Sequence, residues 1–276
     1  IAIPVGKDSL SMKTAWREGD EPRRVVAPVS LIVSAFAPVV DVRRTLTPQL
    51  RLDQGPTRLL LLDLGGGRNR LGGSCLAQVY GHIGRHAPDC DDPSRLRAFF
   101  QAVAQLRADG RLLAYHDRSD GGLLVTAVEM AFAGRCGVEL EVAGDSQVRV
   151  MGELFAEELG ALLQVREADR DRVLDVFRQA GLGSLVRDVG RVVPEDVLRV
   201  VGPSGPLFAA TRTELREAWS ETTFLMQSLR DNPDCAREEY ARATDPADPG
   251  LSARLTYDPL QDVAAPYVQT GVRPRV

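Results

Sequence analysis

The sequence predicts an α+β fold with α/β-like alternation, and three observations carry that reading. Leu59-Leu60-Leu61-Leu62 is a short continuous apolar run that ends on Asp63, the pattern of a buried strand. From about residue 57 to residue 205, β-rich runs alternate with segments of helical period. Residues 206–276 differ again, with one long amphipathic helix followed by a polar, Pro-rich tail.

The elements follow in order. Residues 1–47 read as β-rich: an apolar start, a Gly6-Lys7-Asp8-Ser9 turn, then the run from Val25 to Val40 with β-branched residues and Pro punctuation. This segment has too little mass for a core of its own. Breaks at Thr47-Pro48 and Gly55-Pro56 place the start of the next domain near residue 57. After the Leu59–Leu62 strand, Leu96, Phe99, Phe100, Val103 and Leu106 fall on one helix face, Leu112 to Tyr115 makes a strand, and Gly122 to Gly134 an apolar helix. Strands follow at Val138–Val142 and Ala161–Val165, then a helix carrying Val173, Val176, Phe177 and Ala180, then strands at Val186–Val193 and Val197–Val201. Past Phe208, the residues Leu215, Trp219, Thr222, Met226 and Leu229 form a stripe on a helix that needs a partner surface, and Ala243 to Gly250 begins a linker. No internal repeat is visible.

Composition narrows the function classes. With 276 residues, 44% hydrophobic and 26% charged, the chain is expected to be soluble and globular, and its apolar runs are too short for a membrane span. A net charge of -4 lacks the cationic face that nucleic-acid binding needs. Cys75, Cys90, Cys136 and Cys235 are scattered without a Cys-x-x-Cys pair, which points to neither a zinc framework nor disulfides and makes a reducing cytoplasm the expected location. His82, His86 and His116 are expected to be structural, although the first two stand at i, i+4 spacing and keep a metal reading open on a helix. The opening Ile1-Ala2-Ile3-Pro4-Val5 and the close at Arg273-Pro274-Arg275-Val276 lead us to expect a piece of something larger.

Four patterns are candidates for chemistry. In Tyr115-His116-Asp117-Arg118-Ser119-Asp120-Gly121-Gly122, an apolar strand stops at hard oxygen ligands and a glycine pair that opens a helix, which suits phosphate and a divalent metal. The same residues also fit a plain helix cap by Ser119 or Asp120. Leu64-Gly65-Gly66-Gly67 and the following Arg68 to Ser74 resemble a phosphate loop but match neither the Walker nor the dinucleotide pattern, so a close-packing turn stands beside that reading. Glu153, Glu157 and Glu158 imitate an acid/base cluster, whereas a solvated helix face ending at Gly160 explains them more simply. The Gly6-Lys7-Asp8-Ser9 turn joins a permissive backbone to a cation, a carboxylate and a hydroxyl, as a phosphorylated ligand requires, and is also a common turn composition.

Longer stretches carry a family resemblance. Ile3-Pro4-Val5-Gly6-Lys7-Asp8-Ser9-Leu10-Ser11-Met12-Lys13-Thr14, Ala114 to Leu123 and Leu154-Phe155-Ala156-Glu157-Glu158-Leu159-Gly160 strongly resemble the large, single-chain formylglycinamide ribonucleotide amidotransferases of purine biosynthesis. The likeness continues through Trp219-Ser220-Glu221-Thr222-Thr223, Asp231-Asn232-Pro233-Asp234-Cys235 and Asp262 to Tyr267, essentially the whole chain. A kinase or a selenophosphate-synthetase-like enzyme shares the fold class but not these motifs.

The resemblance implies an aminoimidazole ribonucleotide synthetase-like architecture. Residues 1–47 would be the end of a second A subdomain, 57–205 the second B subdomain, and 206–276 a helical extension and linker toward a missing glutaminase domain. The first synthetase half would be missing too. The implied reaction phosphorylates the formyl amide oxygen of formylglycinamide ribonucleotide with ATP and replaces the phosphate by ammonia from glutamine, with Mg2+ neutralising the triphosphate. By the same resemblance Asp117 would ligate Mg2+ and Ser119 would hydrogen-bond an ADP or ATP at an auxiliary, structural nucleotide site. Gly6 and Ser9 are similar to a Gly-Asn-Val-Ser turn of the small enzyme form that approaches ATP and substrate, which implies nucleotide contact for Gly6 and substrate contact for Ser9. Lys7 and Asp8 depart from that turn, and Lys7 is an added expectation as a phosphate partner. The piece by itself is expected to be inactive, and a noncatalytic nucleotide-binding scaffold is the alternative reading.

Overall fold

In the computed structural model the chain divides into two units, residues 1–43 and 44–276, and the structure describes residues 2–7, 12–26, 31–39, 41–268 and 270. The first unit is a hairpin. Strands β1 (Lys13–Glu18) and β2 (Glu21–Val26) pair antiparallel from Lys13↔Val26 to Glu18↔Glu21 around a tight turn at Gly19 and Asp20. Every residue of both strands is exposed, in line with a segment too small to build a core. Of the described residues in the run from Val25 to Val40, read as β, only Val25 and Val26 are strand. Residues 31–39 have no regular structure and leave Leu31, Ile32 and Phe36 exposed, because extended backbone without a partner strand satisfies no ladder hydrogen bond.

The second unit is built around β3 (Thr57–Asp63). Its partners are β6 (Gly160–Arg166) and β7 (Val186–Val193), both antiparallel, and the seven-stranded sheet runs β4 (Leu112–Asp117), β6, β3, β7, β5 (Gly137–Glu141), β8 (Val197–Gly202), β9 (Gly205–Thr211). Only β5 and β8 run parallel. The continuous apolar run of β3 has a direct cause: helices cover both faces of the sheet there. Leu59 and Leu61 enter a core with α3 (Gly122–Gly134) and α4 (Gln147–Phe155), while Leu60 and Leu62 enter a second core with α2 (Pro93–Ala108) and α5 (Arg170–Gln179). All four leucines have zero exposure, and each such burial contributes roughly 1.5–3 kcal/mol.

The helices begin where their caps dictate. Asp92 caps α2 by accepting from Ser94 N at 2.9 Å, with Pro93 in the first turn. Of the predicted α2 face, Phe99 and Leu106 are buried, whereas Phe100 turns out to solvent. Ser74 caps the short α1 (Cys75–Val79) that closes the glycine-rich loop. A reciprocal Thr211–Glu214 box starts α6 (Arg212–Arg230), and Asn232 with Pro233 starts α7 (Pro233–Thr244). The α6 stripe divides. Leu215 joins the α3 core and Trp219 meets Phe132 edge-on, with the Arg216 guanidinium over both rings, but Met226 and Leu229 are exposed. Phe224 stacks on Tyr240 of α7 at 4.6 Å between centroids. Beyond α7 the described tail holds one short helix, α8 (Ala265–Val268). Among the described residues no helix is long and apolar enough to cross a membrane.

Candidate functional site

The junction after β4 is shaped by two glycines. Pairing with β6 continues past Asp117, since Arg118 N donates to Gly160 O at 2.9 Å, and then Gly122 N turns back to Ser119 O at 3.0 Å. Gly121 and Gly122 both take left-handed backbone, at φ +80° and +69°. A Cβ on Gly122 would lie 2.7 Å from Leu154 O, so only glycine fits. The cap predicted from Ser119 or Asp120 does not form: Gly121 is the first residue of the cap, without a side-chain bond. The left-handed pair carries the chain into the helix without either side chain folding back. Glu157 serves instead, its Oε1 accepting from Gly121 N at 2.8 Å, where the helix end favours negative charge.

The motif's side chains face opposite ways. Asp117 and Ser119 are exposed. Asp117 Oδ1 accepts from the Tyr115 hydroxyl, whose pKa is pushed far up, first by burial and then by that bond, while among the described residues the Ser119 hydroxyl makes no hydrogen bond. His116 is tied down, with Nε2 3.2 Å from Glu129 Oε2 on α3 and Nδ1 2.8 Å from Asp117 O. Arg118 points inward. Its side chain, 1% exposed, pairs with Asp63 at 2.5 Å and donates from Nε to Glu158 O at 2.7 Å. Asp63 in turn accepts from Gly65 N and Gly67 N at 3.1 and 2.7 Å, which joins the end of β3 to the glycine-rich loop.

The three glutamates are not a solvated helix face. Helix α4 stops at Phe155, the backbone is extended at Ala156, and Glu157 and Glu158 lie in the connection to β6. Glu158 has zero exposure and takes three bonds from Arg70, from N and Nε at 3.0 and 2.8 Å and from Nη2 at 2.7 Å. Arg70 also reaches Asp91 at 2.9 Å. A Cβ on Gly65 would come within 2.6 Å of the Glu158 carboxyl group, so this glycine serves close packing. Glu153 accepts from Ala143 N at 3.1 Å. The acidic cluster is therefore the part that sequence reasoning missed, since a helical apolar–acidic pattern conceals a strand-like turn. A small cavity of ≈ 370 Å³ opens beside the loop, lined by Asp63, Gly67, Asn69, Arg149 and Arg187 among others.

The other predicted residues lie elsewhere. Gly6 and Lys7 sit in the exposed, irregular start of the first unit, and Ser9 falls outside the described residues. His82 and His86 are exposed in the loop after α1, so no helix enforces their i, i+4 spacing and the metal reading built on it lapses. A separate cleft of ≈ 830 Å³ is walled by Phe132, Arg135, Trp219 and Glu238, at α3, α6 and α7, and shares no residue with the junction.

Known families and structures are similar to this chain in fold. Residues 58–203 match the family model described as AIR synthase related protein, C-terminal domain, and residues 1–38 match one described as FGAR-AT PurM_N-like domain. PurLQS from Thermotoga maritima is similar at 16% identity and a TM-score of 0.50, over 63% of this chain and 28% of that one. T. maritima PurL complexed with FGAR is similar at 14% identity and a TM-score of 0.49, over 63% and 30%. HypE of E. coli, a hydrogenase maturation protein, stands at 20% identity and a TM-score of 0.43, over 60% and 52%. The chain spans less than a third of the T. maritima PurL chains, and at such identity the likeness is one of fold.

Proposed function

The chain belongs to the AIR-synthase-related C-terminal domain family, and from that premise we propose that it is a section of a formylglycinamide ribonucleotide amidotransferase that contributes an auxiliary Mg2+-nucleotide site. In this reading residues 1–47 end a second A subdomain, 57–205 form the second B subdomain, and 206–276 lead toward a glutaminase domain of the same cytoplasmic chain. The parent enzyme uses ATP, glutamine and formylglycinamide ribonucleotide to form the amidine. Gly6 and Lys7 would approach the nucleotide and Ser9 the substrate.

One observation supports the site above all: the motif exposes a carboxylate and a free hydroxyl, Asp117 and Ser119, on either side of an arginine locked inside. The donor set fits the ion. Mg2+ on a nucleotide draws most of its six oxygens from phosphates and water and needs one or two protein carboxylates. Asp117 would hold the metal through the oxygen that Tyr115 leaves free, and Ser119 would orient the nucleotide. When bound, Mg2+ neutralises phosphate charge. The chain's own part is to keep those two groups still on a rigid strand end.

Titration calorimetry of this chain with Mg-ADP tests the site. Asp117→Asn should weaken binding about tenfold or more and leave the nucleotide-free melting temperature unchanged. Equal affinity in the two proteins would refute it. The inward Arg118 and Glu158 network favours a second reading, a support that holds nucleotide without transferring phosphate. If Asp117→Asn in the parent enzyme loses bound ADP and thermal stability but keeps turnover, the site is scaffolding; loss of turnover at equal stability makes it catalytic.

A further inference from the structure

Beside the α3 N-terminus, three potential metal ligands of different chemistry converge. Cys75 Sγ comes from the first residue of α1, one carboxylate oxygen from Asp120 in the β4–α3 turn, and another from Glu157 in the α4–β6 connection; the three atoms all lie within 4.8 Å of one another. Glu157 is fixed between the other two, because Oε1 accepts from both Cys75 N and Gly121 N at 2.8 Å. Capping accounts for Glu157 alone. It leaves unexplained why a thiol and a second carboxylate gather there.

The cluster is also electrostatically unbalanced. Among the described residues neither Asp120 nor Glu157 has an ion-pair partner, since the nearby Arg70 and Arg118 are engaged by Glu158, Asp91 and Asp63.

We propose that Cys75, Asp120 and Glu157 form a binding site for a thiophilic divalent cation of the Zn2+ class. Zn–S and Zn–O bonds of about 2.3 and 2.1 Å set tetrahedral ligand–ligand edges of about 3.5 Å, so modest side-chain rotation, chiefly of exposed Asp120, closes the site. A thiolate beside two carboxylates suits Zn2+, Co2+ or Cd2+, whereas Mg2+ prefers oxygen throughout. The fourth position is left to water or a ligand. The ion would join α1, the β4–α3 turn and the α4–β6 connection, and it is separate from the Mg2+ proposed at Asp117.

The test adds Co2+ to the nucleotide-free chain in a thiol-free reductant and reads the thiolate-to-cobalt charge-transfer band in the near ultraviolet. The band should saturate at a single equivalent, bleach with Zn2+ but not with excess Mg2+, and be absent in Cys75→Ser. Glu157→Gln and Asp120→Asn should each weaken Co2+ binding by about tenfold or more. Serine is close in size and suits a helix start, so Cys75→Ser should fold normally, as circular dichroism will check. No band in the wild-type chain overturns the proposal. So does a band that persists in Cys75→Ser, which would put cobalt on another thiol such as Cys90 or Cys235, and so does displacement by Mg2+. Because nucleotide is absent, failure here leaves the Mg-ADP result standing.

Discussion

Replacing Arg118 by Met should destabilise the seven-stranded unit, and the structure sets the size of the effect. The substitution removes a side chain that is 1% exposed and strips its cation from Asp63, which is 4% exposed. Lost with it are the bonds to the carbonyls of Glu158 at 2.7 Å and Leu159 at 3.3 Å. Breaking a buried pair from one side costs about 3–5 kcal/mol. Asp63 keeps the amides of Gly65 and Gly67, which places the expected loss near the lower end, about 3 kcal/mol, or a fall of about 6–12 °C in melting temperature. Arg118→Lys retains charge but not the fork that reaches a carboxylate and two carbonyls together, and should lose about 1–2 kcal/mol. Urea unfolding followed by far-ultraviolet circular dichroism gives both values. An Arg118→Met protein within about 0.5 kcal/mol of wild type would refute the buried pair as a support of this junction.

Two other expectations concern the same unit. Gly122→Ala places a methyl group 2.7 Å from Leu154 O at φ +69° and should cost at least about 1–3 kcal/mol in the same unfolding assay; an unchanged midpoint would contradict the strained start of α3. The buried Cys136 thiol is pushed up to about 11, mainly by burial and with Arg212 opposing. A raised thiol pKa contributes stability that is whole below the unfolded value of about 8.5 and is lost as pH rises through the folded one, so unfolding free energy should decline more steeply across that window in wild type than in Cys136→Ala, where the raised Cys75 and Tyr115 groups still contribute their share. A profile identical in the two proteins would count against it.

Much of the fold was legible because local signals agreed with burial. Leu59–Leu62, the α2 start at Asp92-Pro93 and the apolar α3 each carry their own periodicity or cap. What sequence could not show was pairing at a distance. The Val25–Val40 run has strand composition, yet β propensity measures fit to a partner, and among the described residues of their unit residues 31–39 find none. The acidic stretch Glu153 to Glu158 reads as helix, but its role depends on Arg70, more than eighty positions earlier in the chain. At the candidate site, the outward Asp117 and Ser119 follow from strand alternation around Arg118. That Arg118 itself is buried required the position of Asp63.

The adjacent residues Glu157 and Glu158 have a consequence for how this chain can vary over time. One holds the amides of Cys75 and Gly121, the next holds the guanidinium and amide of Arg70, so a single dipeptide sets the positions of two loops at once. Surface positions nearby are free to drift in identity. The length from Ala156 to Gly160 is not: one residue more or fewer would hand each carboxylate to the wrong loop, and both would lose their anchor in the same step.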